Sequence, residues 1–483
     1  MNPLLLTDGY KLGHHRQYPE KTTLVYSNWT PRKSRMKGIE EVVFFGLQYF
    51  IKEYLIDQFN QNFFQRNREE VLKEYKDYVD AYLNEDYDIS HIEKLYDLGY
   101  LPIEIKALEE GTAVPIRTPM FTMKNTIPEF YWLTNYLETL ISNSIWLPCN
   151  SATIAKKYHE ILHKYALETN PNEIDFVTWQ GHDFSMRGMA GKDASILSGM
   201  AHSIYFSGSD TLPVSYALKK YYQKENAIGS VNATEHSVMC AGNKENELET
   251  FQRLLEIYPE GILSIVSDTW DLWKVISEFL PKLKKEILER DGKVVIRPDS
   301  GDPVLIICGN LESEEEMERK GVIELLWEIF GGEINEKGYK VLHPKIGAIY
   351  GDSITLDRAE EICKRLKEKG FASTNIVLGI GSFTYQYNTR DTFGFAMKTT
   401  YVEVNGEKRN IFKDPITDNG TKKSAKGLLK IYKENGKICF KDACTEEEEK
   451  EGLLETVFKD GVLVKEMTLD EIRCNVLEKT VLI

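Results

Sequence analysis

From about Ile174 onward the chain repeats one pattern: a short β-rich run, a polar turn, then an amphipathic helix. ILSIVSD closes on Asp268 and runs into DLWKVISEFLPKLKKEIL. VVIRPDSGDP ends in a carboxylate-rich turn, and a helix follows around Glu314 to Phe330. KIGAIYGD reaches Asp352 ahead of LDRAEEICKRLKEKG, and NIVLGIGS ends in Gly379 and Gly381. Strands separated by helices cannot pair as tight hairpins, so this pattern predicts an α/β fold built on a parallel sheet. One Asp- or Gly-rich turn is explained by helix capping alone. Four in succession, carrying RPDSGDP, YGDS and GIGS, place polar chemistry at the C-terminal ends of the strands, where parallel α/β folds build their sites.

The flanking regions have a different texture. Leu47 to Phe63 and Glu129 to Trp146 read as helices with wide apolar faces, and LPIEIKALEEGTAVPIRTPMFTMKN between them reads as short strands broken by turns. After about Phe393 the β-rich character returns in TTYVEVNGEKRNIFKD, LLKIYKENGKICF and ETVFKDGVLVKEM, with NG and DG turns as hairpins require. The expected organisation is a mixed α+β sheet domain from residues 1–150 and 393–483, built from both chain ends, around an α/β domain at 151–392.

A formal net charge of -15 argues against a general nucleic-acid binder, although it leaves room for a local basic pocket. No apolar run is long enough to span a membrane, and MNPLLLTDGYKLGHH lacks the basic and apolar regions of a signal peptide. The 7 cysteines are scattered without a CxxC, which fits reduced thiols in the cytoplasm.

A phosphorylated sugar donor needs N–H groups and cations for its phosphates, carboxylates for its hydroxyls, and a cation such as Mg²⁺ for a departing diphosphate. Gly379, Gly381 and Ser382 offer a glycine-rich turn; Asp299 and Asp352 sit at strand ends. Arg390, Lys398, Lys413 and the pair Lys422–Lys423 supply positive charge. GIGSFT is neither a full GxGxxG nor a P-loop, and Lys422 and Lys423 alone would be a solvated loop. In GSVNATEHS, His236 stands beside Glu235; a lone histidine is more often structural, but an imidazole whose tautomer is fixed by a carboxylate is a nucleophile toward phosphate. Tyr10 in TDGYK and Phe184 in GHDFSMRG are aromatics in polar contexts, able to sandwich a flat heterocycle or to edge a core. His159-Glu160-Ile161-Leu162-His163 matches the zinc-hydrolase pattern HExxH, but it lacks the HxxGxxH extension and is expected as a surface helix.

Taken in order, TDGYKLGHHRQYP, FFGLQYF, YWLTNYLETLISNSIW, GHDFSMRG, FSGSDT, ATEHS, VSDTWD, IRPDSGDP, YGDSI, NTRDTFGFAMK, IFKDP and TVFKDGVL resemble the nicotinamide phosphoribosyltransferases of the type II phosphoribosyltransferase family along nearly the whole chain. The resemblance implies an irregular (β/α) barrel for 151–392. It also implies a homodimer with shared active sites, transfer from phosphoribosyl pyrophosphate to nicotinamide in NAD salvage, Mg²⁺, and ATP hydrolysis through a phosphohistidine. By motif, Phe184 and Tyr10 would stack on the nicotinamide ring, Tyr10 from the second subunit, while Asp210 would accept from the carboxamide. Arg187 and Arg297 would border ring and sugar phosphate. Asp299, Gly351 and Asp352 would hold the ribose, and Gly381 and Ser382 the 5′-phosphate. Arg32, Arg390, Lys398 and Lys413 would surround pyrophosphate and ATP. His236 would take the phosphoryl group, with Glu235 and Asp268 as its carboxylate neighbours. Ser382 and Phe383 depart from the family, which tends to continue with glycines there, and the segment after Arg32 is short. The alternatives are nicotinate as substrate, which a buried Asp210 carboxylate would repel, a zinc hydrolase at HEILH, and a non-catalytic homologue.

Overall fold

The computed structural model describes residues 1–351, 353–417 and 423–477, so Asp352 and Lys422 lie outside the described residues. The chain divides into two compact units: Met1–Thr153 with Lys219–Lys224 and Asn388–Ile483, and Ile154–Leu218 with Glu225–Tyr387.

The first unit holds a seven-stranded sheet that interleaves the two ends of the chain, in the order 407–410, 396–404, 22–30, 121–125, 103–107, 455–459 and 462–463. Every neighbouring pair in it is antiparallel. Three tight turns follow from their sequence. Asn405–Gly406, Asn435–Gly436 and Asp460–Gly461 all have positive φ at both residues, the backbone that two-residue hairpins need and that Asn, Asp and Gly tolerate. The sheet packs on an apolar core that includes Trp29, Phe44, Phe50, Phe121 and Phe395, all fully buried. Leu47–Phe50 is α-helical and Ile51–Gln58 continues it with π-helical hydrogen bonding.

The second unit is built on parallel strands: β1 (Gly181–Asp183), β2 (Gly208–Ser209), β3 (Asn232–Ala233), β4 (Glu260–Val266), β5 (Asp291–Arg297), β6 (Ile346–Tyr350) and β7 (Ile376–Ile380). Hydrogen bonding runs β2-β1-β7-β6-β5-β4-β3. A parallel bridge from Gly208 to Gly229, just ahead of β3, joins the two edges of this sheet. Seven strands thus meet their chain neighbours all the way round, and β7 pairs back onto β1: an irregular (β/α) barrel. Amphipathic helices such as Leu356–Glu368, with Ala359, Ile362, Cys363 and Leu366 buried, cover its outside.

Barrel interiors are normally filled by layers of large side chains. Here Ala233, Ser264 and Gly347 are among the inward positions, and a cavity of about 760 Å³ remains. Along β5 the period of two sends Lys293, Val295 and Arg297 into it.

The HEILH segment lies within the helix Glu138–Thr169. His159 is not on a surface, as expected from sequence, but buried, with its ring near those of Tyr205 and Phe206. Burial lowers its pKa to about 4. Among the described residues no group of three His, Cys, Asp or Glu side chains could hold a metal ion.

Candidate active site

All seven barrel strands deliver a candidate residue just past their C-terminal ends. Phe184 follows β1, Asp210 follows β2, Glu235 and His236 follow β3, and Asp268 follows β4. Arg297 and Asp299 close β5, Gly351 follows β6, and Gly381 and Ser382 follow β7. The cause is topological. Parallel strands point one way, so each βα turn lands on the same rim of the barrel.

Asp210 is placed by backbone and side chain together. Its N–H donates to Asp183 O at 2.9 Å. His182 Nε2 donates to its Oδ1 at 3.0 Å, and Ser230 Oγ–H donates to the same oxygen. Burial alone would raise the Asp210 pKa. The bonds from His182 and Ser230 and the charge of Arg297 outweigh it and hold the carboxyl below its ordinary range. Asp210 is therefore an ionised acceptor on the cavity wall, beside Phe184, whose ring lies 4.5 Å from that of His182. Its side chain is open to the cavity, not buried as expected from sequence, because it sits past the end of a two-residue strand. Gly379 makes room for that ring: a Cβ there would stand 2.9 Å from Phe184 Cδ2 and 2.7 Å from Tyr350 O.

Arg297 reaches across the rim, donating from one terminal nitrogen to Thr234 O at 2.5 Å, while its buried Nε has no protein partner. Gly351 and Asp299 are matched in shape; a Cβ on Gly351 would lie 2.6 Å from Asp299 Oδ1. Asp268 is 5% exposed, and its Oδ2 accepts from Asp299 N at 2.9 Å and Ser300 Oγ at 2.5 Å. Its buried Oδ1 has no hydrogen-bond partner and points to His236 Nε2 at 4.0 Å; Asp299 Oδ2 stands 3.9 Å from the same nitrogen. The opposite ring nitrogen, Nδ1, is 3.0 Å from Thr269 Oγ1, and the side chain is 47% exposed. Two carboxylates thus stand on one side of the imidazole, beyond direct hydrogen-bond reach, and the Thr269 hydroxyl meets the other side. The second carboxylate beside His236 is that of Asp299. Glu235 instead holds the N-cap position of the short helix His236–Ala241 without a side-chain capping bond, and its carboxylate accepts from Ser237 Oγ.

At β7 the chain turns at Gly381 into the helix Ser382–Tyr385, with open space where a Gly381 Cβ would lie. Ser382 Oγ packs where a side chain on Gly188 would go, at 2.0 Å from its Cβ position. Arg187, next to Gly188, is exposed on the turn Met186–Gly188.

In the first unit, Arg32, Lys398 and Lys413 gather with Lys11. Burial, followed by the charges of Arg32, Lys413 and Lys11, lowers the Lys398 pKa against the opposing pull of Glu138. Lys11 is buried in an ion pair with Glu138 at 2.5 Å. The adjacent Tyr10 is 63% exposed on the turn Gly9–Lys11. Arg390 lies on the turn Arg390–Thr392, 3.6 Å from Asp391, and the end of that turn is bonded to the Arg32 segment through Arg35 N–H to Thr392 O at 2.8 Å. Sequence reading missed His182, Ser230, Thr269 and Lys11. All four lie inside motifs already singled out, His182 in GHDFSMRG, Lys11 in TDGYK, Ser230 in GSVNATEHS and Thr269 in VSDTWD, but nothing local to those motifs says which partner each side chain meets.

A hollow barrel with carboxylates, arginine and a glycine turn on one rim defines a sugar-phosphate transferase of the barrel class. The profile of the nicotinate phosphoribosyltransferase family matches residues 179–462, and that of the nicotinamide phosphoribosyltransferase N-terminal domain matches residues 2–105. A nicotinamide phosphoribosyltransferase of Acinetobacter baylyi is 51% identical over 98% of this chain and 96% of its own length. One of Mycoplasma pneumoniae is 38% identical over 89% and 97%, and one of Xanthomonas campestris pv. campestris 31% over 98% and 98%. In fold, the chain is similar to the nicotinate-nucleotide pyrophosphorylase of Pyrococcus furiosus, with a TM-score of 0.61 at 16% identity over 100% of this chain and 97% of that one. Human nicotinic acid phosphoribosyltransferase gives a TM-score of 0.59 at 14% identity over 98% and 93%. The chain belongs to the nicotinate phosphoribosyltransferase family.

Proposed function

We propose that this enzyme joins nicotinamide to phosphoribosyl pyrophosphate, forming nicotinamide mononucleotide and pyrophosphate in the cytoplasmic salvage of NAD. The observation that carries the choice of nicotinamide is Asp210. An ionised carboxylate on the cavity wall accepts from a carboxamide N–H₂ and repels the carboxylate of nicotinate. The full-length relatives bearing the nicotinamide name support the same reading.

In this reading Phe184 stacks on the ring and Asp210 fixes its amide. Asp299, Gly351 and Asp352 hold the ribose, Gly381 and Ser382 receive the 5′-phosphate, and Arg297 with Arg187 borders ring and phosphate. The ring nitrogen carries no proton, so attack on C1 of the ribose needs no protein base. Positioning and electrostatic stabilisation of an oxocarbenium-like transition state do the work. Arg32, Arg390, Lys398 and Lys413 are the cations assigned to the leaving pyrophosphate. Tyr10 and part of this basic group act from the second subunit of a homodimer.

The donor set suits Mg²⁺ that arrives with the diphosphate. This ion keeps most of its waters and needs only one or two protein carboxylates, which Asp299 and the buried, unpartnered Oδ1 of Asp268 offer. When bound it would supply charge neutralisation on the leaving group. ATP is a co-substrate: an imidazole nitrogen of His236 attacks its terminal phosphorus and ADP leaves, with Asp268 and Asp299 as the carboxylates beside the ring, and hydrolysis of the phosphohistidine drives the transfer forward.

The test is pyrophosphate and mononucleotide formation from nicotinamide and from nicotinate, with and without ATP. Efficient turnover of nicotinamide alone, stimulated by ATP, is the expected result. Equal use of both pyridines overturns the role of Asp210.

A further inference from the structure

Asp210 cannot discriminate by charge alone, because its side chain is 42% exposed and stands at the end of a strand of only two residues. A carboxylate so placed, with nothing to hold it, would rotate and carry its own water. It would then accept a carboxamide in many poses and tolerate an acid through a bridging water or cation. The structure shows what prevents this. His182 Nε2 and Ser230 Oγ both donate to Oδ1, from the strand on one side and the barrel-closing segment on the other. With two donors on one oxygen, the carboxylate plane is set and the remaining oxygen, Oδ2, is the one offered to a ligand.

We propose that His182 and Ser230 are specificity-determining positioning residues: they clamp Oδ1 of Asp210 so that Oδ2 meets a carboxamide N–H and no acid. The inference rests on the reading of Asp210 given above and assigns the discrimination to three side chains, from β1, from the end of β2 and from the segment ahead of β3. His182 Nε2 must carry its proton, because its partner is an ionised acceptor. A donor on that nitrogen, not the bulk of the ring, is the feature required. The His182 ring also lies against Phe184, so the clamp and the stacking surface for the heterocycle share one side chain.

The test compares kcat/KM for nicotinamide and nicotinate in His182→Leu, His182→Gln and Ser230→Ala. Leu keeps the apolar bulk against Phe184 and deletes the donor. Gln keeps an N–H donor. Loss of one hydrogen bond to a charged acceptor predicts that the ratio of nicotinamide to nicotinate kcat/KM falls about tenfold or more in His182→Leu. The change should appear in the KM for nicotinamide, with the KM for phosphoribosyl pyrophosphate unmoved. His182→Gln should recover most of the ratio, and Ser230→Ala should lower it independently if His182→Leu fails to fold. An unchanged ratio in active His182→Leu and Ser230→Ala refutes the clamp. If Asp210→Asn lowers the ratio while the clamp variants do not, the reading of Asp210 stands and the clamp alone fails. If Asp210→Asn also leaves the ratio unchanged, that reading falls with it.

Discussion

Replacing Gly351 with alanine separates the site from the fold. The added methyl would sit 2.6 Å from Asp299 Oδ1, 3.6 Å from its Cγ and 3.7 Å from Arg297 Cδ. Carbon and oxygen settle at about 3.5 Å, so the carboxylate must withdraw by about 1 Å. The backbone does not object, because φ at Gly351 lies outside the left-handed region. Alanine there even trims the entropy of the unfolded chain, worth about 0.4–1 kcal/mol in favour of folding. Asp299 cannot follow as a unit, since its N–H is held by Asp268 at 2.9 Å, so the displacement falls on the carboxylate. A catalytic or substrate-holding group misplaced by about 1 Å costs roughly 100-fold in rate, about 2.7 kcal/mol. The expected variant is as stable as its parent in a thermal melt and about 100-fold lower in kcat/KM for phosphoribosyl pyrophosphate, measured by pyrophosphate release. A folded variant within about threefold of the parent would refute the assignment of Asp299 to the ribose.

Three further outcomes are expected. ATP should label the protein with acid-labile phosphate; His236→Ala should abolish the label while sparing some basal transfer, and persistent label would place the phosphate elsewhere. Chelation of Mg²⁺ should stop pyrophosphate release and its return should restore it; full activity in the chelated enzyme would count against Asp299 and Asp268 as the carboxylates beside the metal. Burial lowers the pKa of His91 to about 3 and those of His159 and His202 to about 4, against an ordinary value of 6.5. The folded chain keeps these rings neutral while the unfolded chain protonates them. Stability is therefore fully present above pH ~6.5 and falls as pH drops toward ~4, by at most about 1.4 kcal/mol per pH unit for each histidine. A melting temperature that stays flat from pH 7 to pH 5 would contradict this.

The alternation of apolar runs, polar turns and amphipathic helices determined the parallel α/β half of the molecule, because periods of two and 3.6 residues are local properties of the chain. The NG and DG dipeptides likewise announced three hairpin turns, since positive φ is a property of those residues themselves. Locally legible too were the strand ends that carry Asp268, Asp299 and Gly381. Which partner each of them meets was not. Asp268 and Asp299 came beside His236 because β3, β4 and β5 are successive hydrogen-bonded neighbours, while the Glu235 carboxylate is engaged by Ser237. His159, polar by type and spaced like a metal ligand, went into the interior because aromatic neighbours from a distant helix turn, Tyr205 and Phe206, surround it. The clamp on Asp210 joins residues 28 and 20 positions away in sequence, through the closure of the barrel between Gly208 and Gly229. Residue type and period act over a few positions; the contacts that orient a carboxylate or bury an imidazole exist only once separate strands have been brought side by side.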